Sequence, residues 1–249
     1  MRVLIIPAAG RGSRLGSTTP KPLVLVDGRP MLDHLSDLYE PFTQQIVVVA
    51  HPSFAASIAD WARTRHGVSV AEQASPTGML DAVLAAGPAA LAHDPREVWI
   101  TWADQVGVLP ETLARLATIA GGPAQPALTL PTVTRTDPYI HFERDAAGRI
   151  VRLLQHREGD RMPAAGESDM GVFAMTTKTF AEDLPEFARE VVPGTATGER
   201  NFLPFVPWLA QRTAVATFPC TDPREAIGIN TPDELRDVEQ WLRSRRTSR

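Results

Sequence analysis

PAAGRGSRLGSTTPKPL, residues 7–23, follows directly on the apolar run Val3-Leu4-Ile5-Ile6. The apolar run reads as a buried strand. The segment after it places Gly10, Gly12 and Gly16 among Arg11, Arg14 and Lys21. A plain surface turn needs one or two flexible residues. Three glycines interleaved with three cations suit a backbone that approaches an anionic ligand closely. Its N–H groups can form a nest, and Arg14 and Lys21 can neutralise phosphate charge. Ligands of open α/β sheets sit outside the carboxyl ends of the strands, and this loop leaves such an end. It is not a P-loop, because no Gly-Lys-Ser/Thr follows at the right spacing. Nor is it a dinucleotide fingerprint, because Gly10-x-Gly12 leads into a proline-punctuated stretch and not a helix.

Outward from this segment, strands are predicted over 2–6, 46–50, 68–71, 98–102 and 127–130. They alternate with helices over 30–39, 52–65, 79–91 and 110–120. That alternation means a parallel, doubly wound sheet covered on both faces. The second half differs. A hairpin is expected from 139–144 and 149–154, a strand over 171–175, mostly helix over 176–191, a broken helix over 199–211 and a strand over 215–218. The last helix carries a start signal: Thr231 as N-cap, Pro232 at the first position and Glu234 closing a capping box. It is expected to run to about residue 243. Together these describe an α/β fold in a single domain, 1–249, with a Rossmann-like doubly wound mixed sheet and a small β-rich insertion.

Composition narrows the function classes. A net charge of −4 over 249 residues argues against general binding to nucleic acid or anionic membrane, which needs a basic face. The apolar start is too short for a signal peptide, and no apolar run approaches the ~20 residues that span a bilayer. Cys220 is the only cysteine, so neither an intrachain disulfide nor a thiolate metal cluster is expected, and a cytoplasmic location fits. The six histidines show no helical zinc-pair spacing. Ser13 has no evident His–Asp partners for nucleophilic catalysis. Of 25 basic side chains only Lys21 and Lys178 are lysine. A chain that uses arginine almost everywhere therefore places a compact point charge in its glycine-rich loop.

Gly-x-Gly-Ser-Arg-Leu at 10–15, Pro20-Lys21-Pro22-Leu23 and Gly28-x-Pro30-Met31 together resemble, without a gap, the signature of the nucleoside-diphosphate-sugar pyrophosphorylases, the sugar-1-phosphate nucleotidyltransferases. The resemblance continues nearly to the end of the chain. Gln73-Ala-Ser-Pro-Thr-Gly78 looks like the base-reading segment of glucose-1-phosphate thymidylyltransferases, and Trp102-Ala-Asp104 sits where the family has Gly-Asp. Gly198-Glu199 and Gly228-Ile229-Asn230-Thr-Pro232 look like closing segments of N-acetylglucosamine-1-phosphate uridyltransferase. The resemblance implies the nucleotide-diphospho-sugar transferase fold, with a nucleotide-binding half of about 1–130 and an acceptor-binding, closing half of about 131–249. It also implies a reaction: an acceptor phosphate attacks the α-phosphorus of a nucleoside triphosphate in line, and pyrophosphate leaves.

On that resemblance Arg14 would hold the triphosphate, and Lys21 would stabilise charge near the α-phosphate. Asp104 and Asn230 would share one Mg²⁺. Ala8, Ala9, Gly10, Gly12 and Ser13 would line the nucleotide. Gln73 can accept and donate at once, which suits the imide edge of uracil or thymine, and Gly78 would let backbone reach the same base. The partners implied are a nucleoside triphosphate and a phosphorylated small molecule, with UTP, dTTP and CTP nearly tied. Each residue also has a plain role: turn glycines, a solvated Arg14, a capping Asp104, a turn Asn230.

The acceptor side departs from the family. Leu154-Gln155-His156-Arg157 stands for Val-Glu-x-Lys, Asp169-Met170-Gly171 for Asn-x-Gly, and Pro138-Tyr139-Ile140-His141 for Gly-Tyr-Gly-Arg. By family position Tyr139, His141, Gln155, Asp169 and Gly171 would contact the acceptor, and His141 in place of glycine would fill space there. Trp102-Ala103 would narrow the pocket beside Asp104. Such changes in charge and in donor pattern alter specificity sharply, so an acceptor other than N-acetylglucosamine-1-phosphate is expected. Two readings compete with a pyrimidine-specific enzyme: a guanylyltransferase of the same fold, and an inactive nucleotide-binding regulator.

Overall fold

A computed structural model describes residues 1–10, 15 and 19–247. The loop contacts predicted for Gly12, Ser13 and Arg14 lie outside these residues. In β1 (Arg2–Pro7), Leu4 and Ile6 enter one core while Val3 and Ile5 enter the other, and all four are fully buried. A strand buried on both faces belongs at the centre of a covered sheet. A 3-10 turn over Lys21–Leu23 follows the glycine-rich loop. Then comes a hairpin of β2 (Leu25–Val26) and β3 (Arg29–Pro30), with Asp27 and Gly28 at φ 47° and 80°. Two-residue hairpin turns favour this left-handed pair.

The alternating half continues with α1 (Met31–Tyr39), β4 (Gln45–Ala50), α2 (Pro52–Ala62) and β5 (Val68–Glu72). It goes on through α3 (Met79–Ala85), α4 (Gly87–Leu91), β6 (Glu97–Thr101) and α5 (Pro110–Ala120). Strands β4 and β6 flank β1 in parallel, and β5 is parallel beyond β4. The single helix predicted over 79–91 is two. Pro88 has no N–H and crowds the carbonyl four residues back, so the chain restarts at Gly87.

The second half contains β7 (Leu128–Thr136), β8 (Ile140–Arg144), β9 (Ile150–Gln155), β10 (Ala165–Asp169) and β11 (Val172–Thr176). It ends with α6 (Leu184–Glu190), α7 (Phe205–Ala210), β12 (Val215–Pro219) and α8 (Pro232–Thr247). Strand β11 enters antiparallel between β6 and β7, and β12 lies parallel to β7, so the eight-stranded sheet is mixed. Helices α1, α2, α5 and α8 cover one face; α3, α4, α6 and α7 cover the other with the β8–β9 hairpin. Among the described residues no helix is long and apolar enough to cross a membrane.

One expectation fails here. The broken helix over 199–211 shrinks to α7, because the Arg200 backbone is used elsewhere: its N–H donates to the Thr77 carbonyl and its carbonyl accepts from Leu80 N–H. The mostly helical stretch expected over 176–191 is present, as a π-turn, Thr179–Asp183, running into α6. Strand β10 was not foreseen. Its Ala-Gly-Glu-Ser-Asp has no apolar alternation, and it is held by pairing with β7. The five steps from Asp169 to Ala174 span only three on β7, from Thr132 to Thr129. The slack is a kink at Met170-Gly171, with Gly171 at φ 68°.

Candidate active site

Three segments far apart in sequence meet where β1 and β6 end. Lys21 sits in the 3-10 turn between Pro20 and the buried Pro22. Asp104 lies in the turn that leaves β6, and its carbonyl accepts the N–H of Ile229 at 3.2 Å, fixing the following loop beside it. The Lys21 ammonium donates to Asp104 Oδ2 at 2.5 Å and to Asn230 Oδ1 at 2.8 Å. Asn230 Nδ2 donates to the Gly228 carbonyl at 3.2 Å, which leaves Oδ1 facing the ammonium. The predicted capping box is present. Glu234 Oε2 accepts the N–H groups of both Asn230 and Thr231 at 2.8 Å, and Glu234 N–H donates to Thr231 Oγ1 at 3.3 Å. The start of α8 thereby sets the backbone of Asn230.

Two hard oxygens thus converge on one cationic centre. Among the described residues no group of three His, Cys, Asp or Glu side chains could cage a metal. One carboxylate and one amide oxygen fit Mg²⁺, which keeps waters and substrate phosphates in its shell and avoids an all-protein cage.

Beside this centre opens a cleft of about 470 Å³. Tyr139, Gln155, Asp169 and Gly171 line it together with Asp104 and Asn230. His141 does not. It follows Ile140 on β8 and faces the other side, where its Nδ1 accepts Glu167 N–H at 3.1 Å. A Cβ on Gly166 would stand 2.5 Å from that ring nitrogen, so the ring packs directly on the glycine. Trp102 lines the cleft as expected, and it presses on the kink: a Cβ on Gly171 would fall 2.2 Å from its Cδ1.

On the nucleotide side, Ala8 and Ala9 are buried at the end of β1 and Gly10 is exposed. Gln73 is 7% exposed, and its Nε2 donates to the Gly78 carbonyl at 3.0 Å. That bond uses one amide N–H; the amide has a second N–H and the Oε1 acceptor besides. Gly78 cannot carry a side chain, since a Cβ would lie 2.4 Å from the Arg200 carbonyl oxygen. Met79, the next residue, lines the cleft.

Sequence reasoning missed Gln105, Arg135, Glu158 and Asn201, all of which line the cleft. The partners of Glu158 lie 38 to 43 residues away, so no local pattern signals it. Gln105 is buried, and among the described residues its Oε1 has no hydrogen-bond partner.

Asp169 Oδ2 accepts the Gly171 N–H at 2.7 Å. Burial pushes its carboxyl up to about 6 from 3.8, and the Asp104 charge adds to this, against the Gly171 N–H and Arg135. The folded protein therefore holds this proton more tightly than the unfolded chain. The stabilisation is complete below about pH 4 and is lost as pH rises through 6. Asp169→Asn, which imitates the protonated form, should unfold at a higher temperature than the parent above pH 6. The gain is at most about 3 kcal/mol at about 1.4 kcal/mol per pKa unit. The gap should close near pH 4. Thermal unfolding of ligand-free protein from pH 4 to 8 checks this, and a gap that does not vary with pH contradicts it.

Residues 4–169 match the MobA-like NTP transferase domain family. The chain is 32% identical over 248 residues to the bifunctional protein GlmU of Pelotomaculum thermopropionicum, covering 97% of the chain and 52% of that protein. It is 30% identical over 252 residues to GlmU of Solibacter usitatus, covering 98% and 52%. The chain thus spans about half the length of these relatives. Among solved structures, the inositol-1-phosphate CTP transferase from T. maritima superposes with a TM-score of 0.72 at 16% identity, over 98% of this chain and 95% of that one. At that identity the likeness is one of fold.

Proposed function

The chain belongs to the MobA-like NTP transferase family and is a nucleotidyltransferase, and from that premise we propose the reaction it runs. It transfers a nucleoside monophosphate from a nucleoside triphosphate, with Mg²⁺, to a sugar-1-phosphate or a related phosphate or phosphonate, and releases pyrophosphate. The observation that carries the reading is the convergence of Lys21, Asp104 and Asn230 at the mouth of the cleft.

In this reaction an acceptor phosphate oxygen forms a bond to the α-phosphorus as the bond to the pyrophosphate oxygen breaks. The nucleophile is already an anion, so no general base is required. The protein's part is position and charge. Asp104 and Asn230 would hold Mg²⁺, which when bound neutralises phosphate charge. Lys21, on a flexible stem, reaches from the Asp104 carboxylate to a phosphate oxygen. Gln73 offers a donor and an acceptor to a pyrimidine edge. Gly78 lets the Arg200 backbone pack against that segment. Tyr139, Gln155, Asp169 and Gly171 receive the body of the acceptor.

The test is pyrophosphate release from purified protein with Mg²⁺, each nucleoside triphosphate in turn, and a panel of sugar-1-phosphates, polyol phosphates and phosphonates. Release that requires one nucleotide and one acceptor supports the reading. Nucleotide binding with silence across the panel shifts weight to a regulatory role. With the substrates in hand, Gln73→Ala should change the UTP/GTP ratio of kcat/KM by roughly tenfold or more, since a site built on hydrogen bonds discriminates through them. An unchanged ratio removes Gln73 from base reading.

A further inference from the structure

Residues 194–201 form a strap between the two halves of the site. The strap is closed on itself: Gly194 N–H donates to the Glu199 carbonyl at 2.9 Å, and Gly198 N–H to the Gly194 carbonyl at 2.8 Å. One end is tied to the acceptor cleft by Glu158, in the 3-10 turn after β9. Its Oε1 accepts from Thr197 Oγ1 at 2.6 Å and Asn201 Nδ2 at 3.2 Å, and its Oε2 from Ala196 N–H at 3.0 Å. A Cβ on Gly194 would stand 2.3 Å from Glu158 Oε1, so the carboxylate is pressed against the loop. These hydrogen bonds, Thr197 foremost, hold the Glu158 carboxyl below the usual range and keep it ionised.

The other end is tied to the nucleotide side. Arg200 N–H donates to the Thr77 carbonyl at 2.8 Å, and the Arg200 carbonyl accepts Leu80 N–H at 3.1 Å. Its guanidinium donates to Asp81 and to the Ala188 carbonyl. Gly78 packs on the same backbone, and its own carbonyl accepts from Gln73. Hydrogen bonds and the backbone of the strap therefore link Glu158, through Thr197, Asn201 and Arg200, to Gly78 and Gln73.

We propose that Glu158 is a positioning residue that sets nucleotide-base selection from across the cleft, by anchoring the strap whose Arg200 backbone holds Gly78 against Gln73. The proposal rests on the reading of Gln73–Gly78 as the base segment. Most of the acceptor capacity of Glu158 is already spent on the strap, which argues against its being chiefly a contact to the acceptor substrate. Coupling through hydrogen-bonded segments of this kind is worth roughly 5- to 150-fold in affinity.

Two variants test it, Glu158→Ala and Thr197→Val; the second removes one hydroxyl and keeps the shape. Nucleotide binding is measured with Mg²⁺ and no acceptor, for UTP, CTP and GTP separately. Both variants should weaken the preferred nucleotide by roughly tenfold and flatten the preference among bases. Glu158→Ala added to Gln73→Ala should cost little more than Gln73→Ala alone, as coupled residues behave. A loss confined to acceptor KM, with base preference intact, overturns the proposal.

Amide hydrogen exchange at Leu80 and Arg200 reads the strap without any activity. Faster exchange there in both variants, at an unchanged unfolding temperature, supports the anchoring; protection equal to the parent overturns it. If Gln73→Ala leaves base preference untouched, it is the base-segment reading that fails, and exchange still decides whether Glu158 anchors the strap.

Discussion

Asp104→Ala should lower pyrophosphate release by roughly 10³-fold or more while leaving the fold intact. Removing one preorganised electrostatic contributor commonly costs about 10²–10³ in kcat, and Asp104 carries two such duties. It holds the Lys21 ammonium at 2.5 Å, and it supplies the only charged oxygen of the pair that would carry Mg²⁺. The fold persists because its structural bond, from Ile229 N–H, goes to the backbone carbonyl, which alanine keeps. Asp104→Asn preserves shape and removes the charge, so it should fall nearly as far. Lys21→Met should lower kcat by about 10²-fold through the missing cation, with the oxygen pair still in place. The assay is pyrophosphate release at saturating Mg²⁺ beside a thermal melt. More than a tenth of parental activity in Asp104→Ala, at an unchanged melt, would place the chemistry elsewhere.

Lys21 was legible from its loop, and Asp104 and Asn230 from the family resemblance, each at a place that local backbone rules also mark. Lys21 closes a glycine- and proline-rich loop after a buried strand. Asp104 follows a strand's carboxyl end. Asn230 precedes a capping box. Local chemistry marks Lys21, the family resemblance marks Asp104 and Asn230, and the fold brings the three together.

What stayed hidden depends on pairings distant in sequence. Strand β10 is small and polar and becomes a strand only beside β7. His141 was placed at the acceptor by family position, yet neighbours on a strand face opposite sides. Ile140 takes the cleft, and the ring goes to Gly166. The segment over 199–201 was read as helix, and its backbone pairs instead with Thr77 and Leu80, far off in sequence. Glu158 reads as one acid in a charged run until the strap closes on it.

A last hidden residue gives the largest expected effect on stability. Glu225 is a fully buried carboxylate in the turn that precedes Gly228 and Asn230. Its Oε2 accepts Leu109 N–H at 2.9 Å, and its Oε1 accepts Thr221 N–H and Asp222 N–H, each at 3.0 Å. Three backbone donors thus depend on one side chain, which ties the loop after Asp104 to the loop before Asn230. Glu225→Ala leaves all three without their acceptor. At about 1–3 kcal/mol for each buried donor left unmade, the loss is about 4 kcal/mol. For a chain of this size that is a fall of roughly 10 °C in Tm. Glu225→Gln keeps one oxygen but turns an amide N–H toward a backbone donor, so it should lose about half as much. The melts should be read with Mg²⁺ absent, so that ligand binding does not mask them. A shift below about 3 °C for alanine would mean that these donors find other partners, and that the two loops meeting at Lys21 are held together by something other than this carboxylate.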